Sequence, residues 1–229
     1  MASLAAVKRT GLGEETTQRF IIDSGAVYVF SDLESLTGDL SEGIPMDPDD
    51  WNDNRLGATS GGNSFTVEQE FREIEIDGIR GQTKGARRKV NVVPTLTANI
   101  IEMSTENFKY AFPGADVIDW PDGEDLEEGE DASHDLITRT CDIELADYVD
   151  LVALAGTLSG YSHCEDNSAI GEPVIFIVKN GLSDQSITID TNDDDEVVFE
   201  LQFTGHYDWE NLITEPWKIL FPKEIEPTE

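Results

Sequence analysis

The chain has 229 residues, with 48 acidic against 15 basic side chains and a formal net charge of -33 at pH 7. That length suits one large β domain with a core of its own, or two small ones, and no segment reads as a linker between two apolar halves. A surface this acidic repels nucleic acid and anionic membranes, which argues against sequence-specific DNA reading.

The acids are spread along the whole chain, a pattern whose self-repulsion high salt would screen. The reading is a halophilic source, with a calcium-rich setting as the alternative. Disorder is not implied, because 38% of the residues are hydrophobic and fall in organised runs. Cys141 and Cys164 are too few for a disulfide framework. Lys8 and Arg9 follow a short apolar run, the reverse of signal-peptide order, and no stretch nears the roughly 20 apolar residues of a membrane span. The expectation is a soluble protein made in the cytoplasm, with no membrane insertion.

In chain order, residues 1–23 form an N-terminal arm with Leu4, Val7, Leu12 and Phe20 but no periodicity, disordered or ordered by a neighbour. A short strand over 24–30 opens a β domain that spans 24–208. Residues 32–63, rich in glycine and proline, read as a long lateral loop, part of which docks through Ile44, Met46, Trp51 and Leu56. Residues 65–76 alternate, with Phe65, Val67, Gln69 and Phe71 on one face. A β-bulge near Arg72 and Glu73 would bring Ile74 and Ile76 onto that face too. Residues 90–101 alternate again, and Pro94 predicts an edge or a local distortion there. The two runs make a hairpin over 65–101 with strands longer than the usual 5 to 6 or so residues, projecting beyond the core. Its tip holds Arg80, Lys84, Arg87, Arg88 and Lys89, one third of all the basic residues.

A helix over 104–112 follows, capped by Ser104 and stopped by Pro113 and Gly114. Residues 116–135 carry ten acids and no lysine or arginine, and read as a second long loop, solvated or loosely binding divalent or monovalent cations. Strands are expected near 136–144, 173–178, 186–189 and 196–205, while 147–158 fits a helix stripe and a strand equally. Residues 209–229 are a C-terminal arm in which Trp209, Trp217 and Phe221 are anchors for the chain's own domain or a partner. The fold class is mainly β, a β-sandwich or half-open barrel with one short flanking helix.

Catalytic and metal chemistry find no constellation. His134, Cys141, His163 and Cys164 lack the paired spacing of structural zinc sites. The acidic run 192–196 lacks the glycine and spaced glutamate of an EF-hand. Residues 57–62 are glycine-rich without the lysine of a phosphate-binding loop, and no Gly-x-Ser-x-Gly elbow occurs. No enzyme, no resident cofactor and no catalytic residue is therefore expected. The basic tip is read as a contact to the acidic surface of another copy, with Ile44, Trp51, Leu56, Trp209, Trp217 and Phe221 as apolar contacts between subunits.

Three stretches carry a resemblance. The run Gly57-Ala-Thr-Ser-Gly-Gly leads through Phe65-Thr-Val-Glu-Gln-Glu-Phe to Gly81-Gln-Thr-Lys-Gly. Residues 92–113 follow, with Glu102 and Asn107, and then Gly205-His-Tyr-Asp with Pro216-Trp217. In this order they resemble the major tail tube proteins of long-tailed, non-contractile, siphovirus-like viruses, here with a haloarchaeal or otherwise halophilic host. The resemblance implies a virion structural protein whose hexameric rings stack into a helical tube. Its partners would be other copies and the tail tip, tape measure and tail terminator proteins, and viral DNA would pass to the host without sequence-specific binding. The acidic run 116–135 departs from that family's pattern. Alternatives are a capsid decoration or tail-completion protein, or a carbohydrate-binding module using Trp51, Trp120, Trp209 and Trp217.

Overall fold

The computed structural model describes residues 25–33, 48–78, 81–121, 133–139, 142–155, 174–189 and 196–221. The N-terminal arm, Ile44, Arg80, Cys141, His163, Cys164 and most of the acidic run lie outside the described residues.

The fold is mainly β, a half-open arrangement of a seven-stranded sheet and a two-stranded one with flanking helices. Strands β1 (Ala26–Phe30), β2 (Thr59–Glu73), β3 (Arg87–Ile100), β6 (Val149–Ala155), β7 (Val174–Ser183) and β8 (Phe199–Gly205) form the main sheet in the order β1-β6-β7-β8-β3-β2. Every neighbouring pair is antiparallel. A short strand β9 (Trp217–Leu220) adds to β7, while β4 (Ala115–Trp120) and β5 (His134–Arg139) make the separate two-stranded sheet.

Strand β7 is where the sheet turns. One edge pairs with β6 throughout, but the other meets β9 at Ile175 to Val178 and then β8 at Gly181 to Ser183. Between those two ladders Asn180 takes a left-handed φ of 49°, a conformation that asparagine tolerates better than most residues. Asp150 holds it there: one carboxylate oxygen accepts from the Asn180 N–H at 3.0 Å and the other from the Leu33 N–H at 3.0 Å. Asp150 is buried, and that desolvation raises its pKa despite both hydrogen bonds and the nearby Lys179.

Alternation builds the core. Leu96, Ala98 and Ile100 of β3 and Phe199, Leu201 and Phe203 of β8 point inward with Val27, Val29, Leu151 and Val178. Each such valine, leucine, isoleucine or phenylalanine, fully buried, contributes about 1.5–3 kcal/mol. Helix α2 (Thr105–Ala111) lies across this core, with Phe108 stacked on Phe199 at 5.7 Å. The Ser104 hydroxyl caps it by accepting from the Asn107 N–H, and the Asn107 amide donates to the Glu102 carbonyl at 2.9 Å. A second cluster on the opposite face of β1, β6 and β7 contains Phe30, Val152, Ile175 and Ile177, covered by Trp51 from helix α1 (Pro48–Asp53). The sheet curls until Asn63 of β2 donates to the Gly25 carbonyl just before β1, at 3.0 Å.

Several expectations change. Within the ambiguous 147–158 stretch, Val149–Ala155 is strand β6, buried on both faces, which accounts for the apolar run Leu151 to Ala155. Residues 32–63 are not loop throughout: α1 interrupts them, and β2 begins at Thr59. Residues 116–135 are not one solvated loop either, because their ends pair as β4 and β5, Val117 facing Ile137 and Ile118 facing Leu136. The apolar residues between the acids supply that ladder. Residues 186–189 form no strand. The bulge lies in the hairpin, but its extra residue is Val90 on β3, where the register steps from Glu70↔Asn91 to Phe71↔Lys89. Pro94 sits one residue beyond the point where β8 stops pairing with β3, at Thr95↔Thr204.

Candidate assembly surface

The hairpin of β2 and β3 outruns its neighbours. Strand β8 reaches only Thr95 to Ile100 of β3, so among the described residues the distal half of the hairpin has no third strand beside it. There inward alternation no longer means burial: Phe71 is 50% and Val90 57% exposed, and Ile74 and Ile76 are similarly open. The bulge therefore does not restore a buried face. Among the described residues, the outer edge of β2 carries no ladder partner along its 15 residues, an edge of the kind that recruits another strand.

The charges on this hairpin are in register. Arg72 stands directly opposite Arg88, and Glu73 opposite Arg87. A like-charged cross-strand pair destabilises its own hairpin, so Arg72–Arg88 is a concentrated positive group. Arg72 escaped the sequence reading because only the pairing register, not position along the chain, brings it to Arg88. Lys84, Arg87 and Arg88 are exposed. Lys89 instead forms an ion pair with Glu215 of the C-terminal segment, so it fastens the chain's own arm.

Other expected contact residues divide by burial. Trp51 and Leu56 are not available to a neighbouring subunit. Trp51 is 8% exposed and packs edge-on against Tyr28 at 4.7 Å and Phe30 at 5.4 Å, while Leu56 belongs to the main core. The segment docks on its own domain, tied by Leu56 N–H to the Val27 carbonyl. Trp217 is half-buried beside Phe65, its indole N–H donating to Glu215 at 2.8 Å. Trp209 at 74% and Phe221 at 60% are open, as are Leu212 and Ile213 beside Trp209. The β4–β5 sheet is a second apolar surface that the sequence reading missed, with Ile118, Trp120 and Leu136 exposed.

The outer face of β2, β3 and β8 is polar and hydroxyl-rich. Thr66, Thr95 and Thr204 line up across the three strands, as do Ser64, Thr97 and Gln202. Among the described residues no group of three or more His, Cys, Asp or Glu could hold a metal ion, and no helix is long and apolar enough to cross a membrane.

No protein-family model matches the chain, and no curated protein matches it. Among solved structures it is similar to the cap of the anti-feeding prophage, the cap that terminates that particle's tube. The two share 12% identity over 97% of this chain and 100% of that one, with a TM-score of 0.41. At that score the similarity assigns no role to this chain.

Proposed function

We propose that this chain is a virion structural protein that assembles with copies of itself, as stacked rings, into the tail tube of a long-tailed virus. The observation that carries the reading is the distal half of the β2–β3 hairpin. It exposes apolar and basic side chains, and among the described residues it has no third strand beside it and an open strand edge. Phe71 and Val90 are about half exposed on a hairpin that also carries a concentrated positive pair, and a partner surface of apolar and acidic groups would cover both. The order of glycine turns, strands and capped helix described in the sequence supports the tail tube as the assembly. The polar β2–β3–β8 face suits a conduit wall: apart from Arg72 and Arg88 at its distal end, hydroxyls and carboxylates such as Glu68 and Glu200 offer DNA no cationic grip during passage.

Negative-stain electron microscopy of the purified chain at low and at molar salt tests the reading. Long hollow tubes are the expected result, most abundant at molar salt. Monomers or single closed rings at both salts would move the assignment to a decoration or tail-completion protein.

A further inference from the structure

The cross-strand register holds a second like-charged pair. On the β4–β5 sheet Asp119 stands directly opposite Asp135, mirroring in negative charge what Arg72 and Arg88 do in positive charge on the hairpin. Both aspartates are exposed, and Asp135 also accepts a hydrogen bond from the Thr105 hydroxyl at 2.7 Å. Each pair destabilises the ribbon that carries it, because like charges directly opposite repel. Each would be relieved by the other.

The surroundings match as well as the charges. Ile74 follows Arg72 on the same side of β2, and Val117 shares the Asp119 side of β4, and both are exposed. The β4–β5 sheet packs against helix α2 but leaves strand edges without a ladder partner among the described residues. We infer that the Arg72–Arg88 end of the hairpin docks on the β4–β5 sheet of a second copy, setting the arginine pair against Asp119 and Asp135. This deepens the assembly reading and rests on it. The two patches differ, so the contact is heterologous, the kind that propagates from copy to copy into a ring or filament.

A charge exchange tests it on the full chain. One variant carries Arg72→Glu with Arg88→Glu, the other Asp119→Lys with Asp135→Lys. Each keeps a like-charged pair within its ribbon, so the internal repulsion of each hairpin is retained while the sign seen by a partner is reversed. Self-association is measured by sedimentation velocity and electron microscopy, with urea midpoints checking that each monomer is folded.

Each variant alone should lose more than about tenfold in association constant, the scale of close interfacial charge pairs. An equimolar mixture should recover assembly, because each variant then offers the charge the other lacks. Should the aspartate reversal perturb folding, Asp119→Asn with Asp135→Asn removes the charge without inverting it, and weakened association is again expected. If aspartate-reversed protein assembles like the wild type while arginine-reversed protein does not, the β4–β5 docking site is wrong and the assembly reading stands. Wild-type protein that stays monomeric at every salt overturns both. If wild-type chain binds a short DNA duplex through Arg72 and Arg88 while their reversal leaves assembly unchanged, the arginine pair is a phosphate contact and the docking proposal falls.

Discussion

Gly181 of β7 and Gly205 of β8 face each other in register, at the point where β7 passes from its β9 neighbour to β8. Neither has room for a methyl group. A Cβ on Gly181 would lie 2.3 Å from Leu151 Cδ1, and one on Gly205 would meet Val178 Cγ1 at 2.7 Å and Pro94 Cγ at 2.8 Å. The close approach of backbone to side chains lets the sheet turn here without opening a gap. Gly205→Ala is expected to cost about 1–3 kcal/mol by overpacking, and Gly181→Ala a similar amount, read as lowered urea midpoints. Midpoints within error of the wild type would mean that the turn tolerates an extra methyl.

Trp51 and Trp209 should behave as opposites. Trp51→Ala removes a buried ring packed on Tyr28 and Phe30, and should destabilise the monomer by about 3–5 kcal/mol. Trp209→Ala takes away a side chain that is mostly in solvent and should leave the monomer's stability within about 0.5 kcal/mol. Under the assembly reading, its loss appears instead in the yield of assembled particles.

Asp150 gives a pH signature with a definite sign. Burial raises its folded pKa above the ordinary 3.8, so the folded state binds this proton more tightly than the unfolded state does. The corresponding stability is fully present below the unfolded value and is lost as pH rises through the raised folded value. Asp150→Asn abolishes that titration but turns an amide N–H toward one of the two backbone donors. It should cost about 1–3 kcal/mol, with the deficit relative to wild type largest at acid pH and shrinking above the folded pKa. Parallel denaturation series across this range measure it, and a deficit independent of pH would contradict the assignment.

Neutralising the hairpin tip separates two basic roles. Arg87→Ala with Arg88→Ala should reduce assembly without changing the urea midpoint of the monomer. Lys89→Ala breaks the pair with Glu215, a partly exposed contact worth about 0–1 kcal/mol, and should loosen the Trp217 segment with little effect on global stability. Normal tubes from the arginine double variant would remove the tip from the assembly contact.

Ionic strength should act on the whole molecule. With a net charge of -33, raising salt from about 0.1 M to 1 M shortens the screening length from about 10 Å to about 3 Å. The monomer's urea midpoint should rise over that interval. A flat or falling midpoint would count against a high-salt adaptation.

Amino-acid order alone marks which faces point inward where strands are supported on both sides. Alternation marks Leu96, Ala98 and Ile100, and Phe199, Leu201 and Phe203, as core residues, and they are. The Ser104 cap and the Pro113-Gly114 stop mark helix α2 for the same local reason: backbone groups at a helix end need a nearby partner.

The remainder follows from the assembled sheet, because pairing partners far apart in sequence are set by the sheet as a whole. Alternation fixes a face but not a register, and only register sets Arg72 against Arg88 and Asp119 against Asp135. It cannot say where the neighbouring strand ends, so Phe71, Ile74 and Ile76 look like core residues yet stand in solvent beyond the reach of β8. It cannot tell which surface a loop's apolar residues will meet, and Trp51 and Leu56 turned to their own domain because the outer face of β1, β6 and β7 and the adjoining core had to be covered. Burial depends on what lies opposite, and that is a property of the assembled sheet.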